Sequence, residues 1–187
     1  MNYLTLGLSQ INVGKRPIVG GKASAIAIMN SNKLKVPKTL CVTTETFDRF
    51  VKSTGLYDKI LMEYYRKSFD DMRWEEIWDF SLRIKNMFLN TRIPLDMSSE
   101  LRSTIEKYFN DKAVVVRSSG TDEDSAKYSF AGIHESYVNI KGVDSILKHI
   151  KLVWASLFSD SAILYRRNRP GHQFQQDGSS YTGICER

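Results

Sequence analysis

Residues Ala113-Val114-Val115-Val116 form a β-branched apolar run that ends directly in a charge, Arg117. Such a run reads as a buried strand and commits the chain to a sheet with a core. The segment after it changes character at once. Ser118-Ser119-Gly120-Thr121 is hydroxyl- and glycine-rich and is expected to turn, Asp122-Glu123-Asp124 follows, and Ser129-Phe130-Ala131-Gly132 offers a second loop. Ser136 to Ile140 alternates as a second strand ending near Gly142. Asp144 is expected to cap a helix whose Ile146, Ile150, Val153 and Leu157 share one face.

The first two thirds supply the helices. Gly20-Gly21-Lys22 precedes the Ala- and Ile-rich stretch Ala23 to Met29, a loop feeding the first turn of a buried helix. After Pro37 comes a short extended run, Thr39 to Val42, and Thr44 or Glu45 opens a helix through Phe47, Phe50 and Val51 that stops near Gly55. Trp74, Ile77, Phe80, Ile84, Met87 and Phe88 fall on one helical stripe and read as core. Beyond Pro94, Ser98 or Ser99 is expected to cap another helix with Leu101, Ile105 and Tyr108 inward. The class is therefore α/β (α+β), a small mixed sheet with flanking helices and a helical insertion over about 56–110.

At 187 residues the chain is long enough to bury roughly 70% of the surface its unfolded form exposes. Hydrophobic residues at 42% and charged residues at 26% exclude collagen-like and wholly disordered classes. No repeat at solenoid spacing is present. No apolar run approaches bilayer length and Met1-Asn2-Tyr3 opens no signal peptide, so the expectation is a cytosolic protein without membrane contact. Cys41 and Cys185 are isolated, which argues against disulfides and structural zinc. The net charge of +6 includes a cluster at Arg166, Arg167 and Arg169. Without interleaved aromatics or a recognisable module, that cluster reads as solvated surface rather than a nucleic-acid site.

Chemistry points to phosphate. Polyphosphates need donors, close backbone and durable positive charge. Gly20-Gly21-Lys22 before a helix offers free N–H groups at the positive end of the helix dipole plus an ammonium, although no Walker A pattern is present and a tight turn with an exposed lysine is the plain alternative. Arg117 stays charged when partly buried and can grip phosphate oxygens bidentately; its alternative is an ion pair with Asp122, Glu123 or Asp124. His134, His149 and His172 stand at no nucleophile or metal spacing, and no acid–base dyad emerges, so no catalytic residue and no metal ligand is assigned.

Taken in order, Gly20-Gly21-Lys22, Val36-Pro37, Val42-Thr43-Thr44-Glu45-Thr46-Phe47, Val115-Val116-Arg117-Ser118-Ser119-Gly120-Thr121-Asp122-Glu123-Asp124, Ser129-Phe130-Ala131-Gly132 and Trp154-Ala155-Ser156-Leu157-Phe158 resemble the N-terminal nucleotide-binding domain of the phosphoenolpyruvate synthase, pyruvate phosphate dikinase and rifampicin phosphotransferase family. The resemblance runs from about Val19 to Arg166. It implies the first subdomain of an ATP-grasp fold over 1–168. The implied reaction splits ATP to AMP and phosphate and passes the β-phosphate to a histidine on another domain. It also implies that Lys22 and Arg117 bind ATP phosphates, and that Gly132 and Ser136 belong to the phosphate-covering loop and the strand after it. Ser136 stands where the family commonly has Thr, and Ile133 replaces the usual Gln. The Mg²⁺ ligands, the phosphohistidine and the acceptor domains are expected in regions beyond this subdomain, so the chain is expected to be inactive alone. The alternative is a non-catalytic binding or regulatory module that completes an ATP-grasp cleft with a separate chain.

Residues 169–187 are expected to form an aberrant, disordered tail, polar where the family would enter an apolar strand. Permitted codons for the segment from His172, read one base later, spell Ile-Ser-Phe-Ser-Lys-Met-Ala-Val-Val-Ile-Gln-Glu-Tyr-Val-Asn, which suggests a frameshift.

Overall fold

The structure, a computed structural model, describes residues 3–120, 124–125, 128–129, 135–167 and 181–186. Its centre is a five-stranded sheet built from β1 (Thr5–Gly7), β2 (Thr39–Val42), β3 (Val114–Gly120), β6 (Ser136–Ile140) and β7 (Tyr181–Glu186). The strand order is β1-β2-β7-β3-β6. Two short strands, β4 (Asp124–Ser125) and β5 (Tyr128–Ser129), pair separately. The α+β class is as expected. The sheet expected to be mixed, however, is antiparallel at every ladder.

Alternation along the strands assigns each face to a different helical layer. Leu6 and Cys41 pack with Val19, Ala23 and Ala27 of α1 (Arg16–Ser31). Leu4, Leu40, Val42, Val114 and Val116 face the larger core. That core is filled from α2 (Thr44–Ser53), α3 (Leu56–Tyr64), α4 (Trp74–Asn90), α5 (Leu95–Phe109), α6 (Val143–Ala155) and α7 (Asp160–Arg167). Trp154, fully buried, holds an aromatic knot in which Phe50 lies 5.2 Å and Phe47 5.7 Å from its ring. Rings in this range prefer tilted and edge arrangements, which fixes how α2 and α6 meet.

Local chemistry explains the helix ends. The Thr43 hydroxyl accepts from the Thr46 amide at 3.3 Å and donates to the Tyr3 carbonyl at 2.7 Å, so one side chain starts α2 and ties it to the residues before β1. Gly55, at φ 66°, makes the left-handed step between α2 and α3. At the end of α4, the Lys151 ammonium of α6 donates to the Leu89 and Thr91 carbonyls at 2.7 and 3.0 Å. This satisfies carbonyls that a helix terminus leaves open and locks α6 across α4.

Several expectations are corrected. The strand expected to stop at Arg117 runs on to Gly120, because β7 pairs with it over Val115–Gly120 and holds Ser118 and Ser119 extended. Neither Ser98 nor Ser99 caps α5; the helix starts directly after Pro94, whose φ of −51° suits a helix entry, and the Ser99 hydroxyl turns back to the Leu95 carbonyl at 2.9 Å. Asp144 does not cap α6, since Gly142 takes the cap position and Asp144 pairs with Arg102 instead. Trp74 is 59% exposed, off the buried stripe of Ile77, Phe80, Ile84 and Phe88. It is the first residue of its helix, where no preceding turn completes an inward face. Six residues of the segment expected to be disordered, Tyr181–Glu186, form a strand in the middle of the sheet. No helix among the described residues is long and apolar enough to cross a membrane.

Candidate phosphate-binding wall

Gly20 decides where the first helix begins. Its backbone, at φ 78° and ψ 173°, breaks the helical path, so the segment before it is set off and a new helical start follows at Gly21. A side chain there is ruled out by strand β3: an added Cβ would lie 2.1 Å from the Ser119 carbonyl oxygen and 2.5 Å from its hydroxyl. The contact is close because the two elements are bonded. The Ser119 hydroxyl accepts from the Ala23 amide at 3.1 Å and so serves as a cap supplied from another element. On the other side of α1, the Cys41 thiol lies 3.7 Å from the Val19 carbonyl, which anchors the approach to the bend.

The register then gathers the charges. Val115, Arg117 and Ser119 point to the α1 side of β3, while Val114, Val116 and Ser118 point to the larger core. Arg117 is directly opposite Ser136 on β6, and opposed antiparallel residues present their side chains on one face. Lys22 lies in the first turn after Gly20, half-buried like Arg117. Of the four residues expected to touch ATP phosphates, Lys22, Arg117 and Ser136 therefore belong to one side of the sheet or the helix packed on it. Gly132 lies outside the described residues, as do Thr121, Asp122 and Glu123.

Such a wall can hold an anion. The amides at the start of α1 lie at the positive end of the helix dipole, the guanidinium on β3 supplies a permanent charge and a planar fork, and Ser136 adds a hydroxyl. Sequence reasoning missed Ser119 as the pin of the helix and Gly20 as the reason helix and strand touch. The signal was present: a Gly pair before a helix and a Ser pair at a strand end are small residues where two elements meet closely. The Ser24 hydroxyl, one turn into the helix, is buried without a hydrogen-bond partner among the described residues. A separate cavity of about 190 Å³, lined by Trp78, Leu82, Lys85, Glu135 and neighbours, shares no residue with this wall.

The α+β fold is consistent with a nucleotide-binding subdomain. The chain belongs to the family described as pyruvate phosphate dikinase, AMP/ATP-binding domain, whose model matches residues 16–179. Among similar proteins, the rifampicin phosphotransferase of Bacillus subtilis (strain 168) is 33% identical over 167 residues, covering 89% of this chain and 19% of the relative. The phosphoenolpyruvate synthase of Aeropyrum pernix is 34% identical over 170 residues, covering 87% and 20%. That of Pseudomonas aeruginosa (strain UCBPP-PA14) is 33% identical over 168 residues, covering 86% and 21%. The chain thus spans about a fifth of the length of the curated relatives it matches.

Proposed function

We propose that this chain forms one wall of the ATP site of a dikinase-type phosphotransferase, with Lys22, Arg117 and Ser136 on the phosphates and Gly132 in the loop that covers them. The observation that carries the reading is the Ser119–Ala23 bond, because it joins the amino end of α1 to the strand that presents Arg117. In the reaction implied by the resemblance, ATP gives AMP and phosphate, and the β-phosphoryl group goes to a histidine on another domain. Lys22 and Arg117 would neutralise phosphate charge and orient the chain of phosphates. The magnesium that such chemistry needs would be held by carboxylates of a second subdomain, opposite this wall. Phosphoryl transfer depends on positioning from both sides of the nucleotide. The chain alone is therefore a binding element and not a complete catalyst, and a cytosolic location belongs to the same reading.

Calorimetric titration of ATP into the chain and two variants tests this. Arg117→Ala is expected to weaken binding by roughly ten- to a hundredfold, since charge-assisted bonds contribute about 1.5–3 kcal/mol. Lys22→Ala is expected to weaken it less, because one flexible ammonium replaces a bidentate fork. Equal affinity in all three proteins, with circular dichroism unchanged, would count against the site.

A further inference from the structure

We infer that the chain docks onto a second copy of itself head to tail, a basic and apolar patch at the end of α1 meeting an acidic, tryptophan-bearing face of α4 on the next molecule. This goes beyond the ATP reading and does not rest on it. Charge is unevenly placed along the chain. Residues 1–44 contain no Asp or Glu, and their six Lys and Arg match the whole net charge of +6. Three of the six, Lys33, Lys35 and Lys38, follow α1 and are exposed beside Ile28, Met29 and Leu34, which are exposed as well. Hydrogen bonds hold this patch in shape. Lys33 takes a left-handed step at φ 60°, the Leu34 amide donates to the Met29 carbonyl at 3.1 Å, and the Asn32 side chain donates to the Ile28 carbonyl at 3.0 Å. Lys33 and Lys35 make no ion pair among the described residues.

The counterpart is on α4. Trp74, Trp78 and Leu82 recur at every fourth residue and are between 43% and 59% exposed. Glu75 and Asp79 are exposed beside them and make no ion pair among the described residues. At 3.6 residues per turn these five side chains fall within one arc of about 140°, away from the buried stripe of Ile77, Phe80 and Ile84. Exposed apolar surface rimmed by charge marks an interaction site. The cavity of about 190 Å³ is lined by the same Trp78 and Leu82, so this face has a recess as well as a stripe. Charge selects the pairing. Two α1 ends repel each other, as do two α4 faces, so the favourable contact joins one of each. A single molecule cannot close it on itself, because α1 and α4 pack on opposite faces of the sheet. Such a heterologous contact leaves a patch free at each end, and association runs past the dimer unless a ring closes. Lys33 lies about 16 Å along the helix direction from Lys22, so the proposed phosphate wall stays open.

Sedimentation equilibrium of the full chain tests this. The weight-average mass should rise at least about 1.5-fold between about 5 and 200 μM in low salt, and should fall back in about 0.5 M salt, where charges are screened over a few ångströms. Reversing the charges of either patch, by Lys33→Glu with Lys35→Glu or by Glu75→Lys with Asp79→Lys, should leave a monomer with an unchanged circular dichroism spectrum. An equimolar mixture of the two reversed proteins should associate again, since each then offers the other an opposite charge on both patches. Leu34→Ser, which keeps every charge, should weaken association at least threefold. A monomer at all concentrations, association that survives either reversal, a mixture that stays monomeric, or an affinity unchanged by Leu34→Ser would each overturn the inference.

Discussion

Gly20 combines a positive φ with a backbone neighbour so near that no Cβ fits, and these two constraints act in the same direction. Gly20→Ala is expected to cost about 3–5 kcal/mol, the sum of backbone strain and forced displacement of Ser119. Urea unfolding would read this as a lower midpoint at unchanged slope. Lys151 is a second residue with an outsized role. Burial, with the nearby Lys148 charge as the smaller cause, pushes its ammonium below the ordinary lysine value, yet it still donates to two carbonyls at the end of α4. Lys151→Met should therefore lose roughly 1–3 kcal/mol through unsatisfied carbonyls despite similar volume. Thermal unfolding of the two proteins side by side is the measurement.

The elements show where local rules sufficed. Strand β2, the helix opening at Thr44 and the buried stripe of α4 were legible because hydrophobic periodicity acts within a few residues. The end of β3 was not legible, because Ser118-Ser119-Gly120 has turn composition and is held extended only by a partner some 60 residues later in the chain. At the start of α4, Glu76 accepts from the Arg73 amide at 2.8 Å and from the Lys67 ammonium at 2.8 Å. The Lys67 bond first, then the Arg73 amide, holds its carboxyl down to about 2. The folded value lies below the unfolded one. The contribution of this pair is therefore complete above the ordinary carboxylate value and is lost as pH falls through about 2. Carbon-detected NMR titration of the Glu76 carboxyl should find that midpoint, and Lys67→Ala should move it upward; a midpoint near the ordinary value in the unsubstituted chain would remove the cap from the account.

At the scale of the molecule, helices on both faces cover a sheet whose α1 side carries the proposed phosphate wall and whose other side carries the main core. The layer that positions Arg117 was legible as a buried strand ending in a charge, Lys22 as an ammonium beside a glycine pair at a helix start, and the resemblance added Ser136. What escaped was the joining of helix and strand through Ser119, since a contact between residues 23 and 119 leaves no periodic trace. The place of Tyr181–Glu186 also escaped. Its polar surroundings suggested disorder, whereas a gap between two open strand edges rewards backbone pairing by almost any segment free of proline.

The central claim is that the start of α1 and the end of β3 act together on one anion. Amide NMR of the labelled chain titrated with ATP tests it most directly. The account expects the largest shifts at Gly21, Lys22 and Ala23 together with Arg117, Ser118 and Ser119, saturating with a single dissociation constant, and their loss in Arg117→Ala. Shifts confined to one of the two segments, or scattered over surface lysines with no saturation, would contradict it.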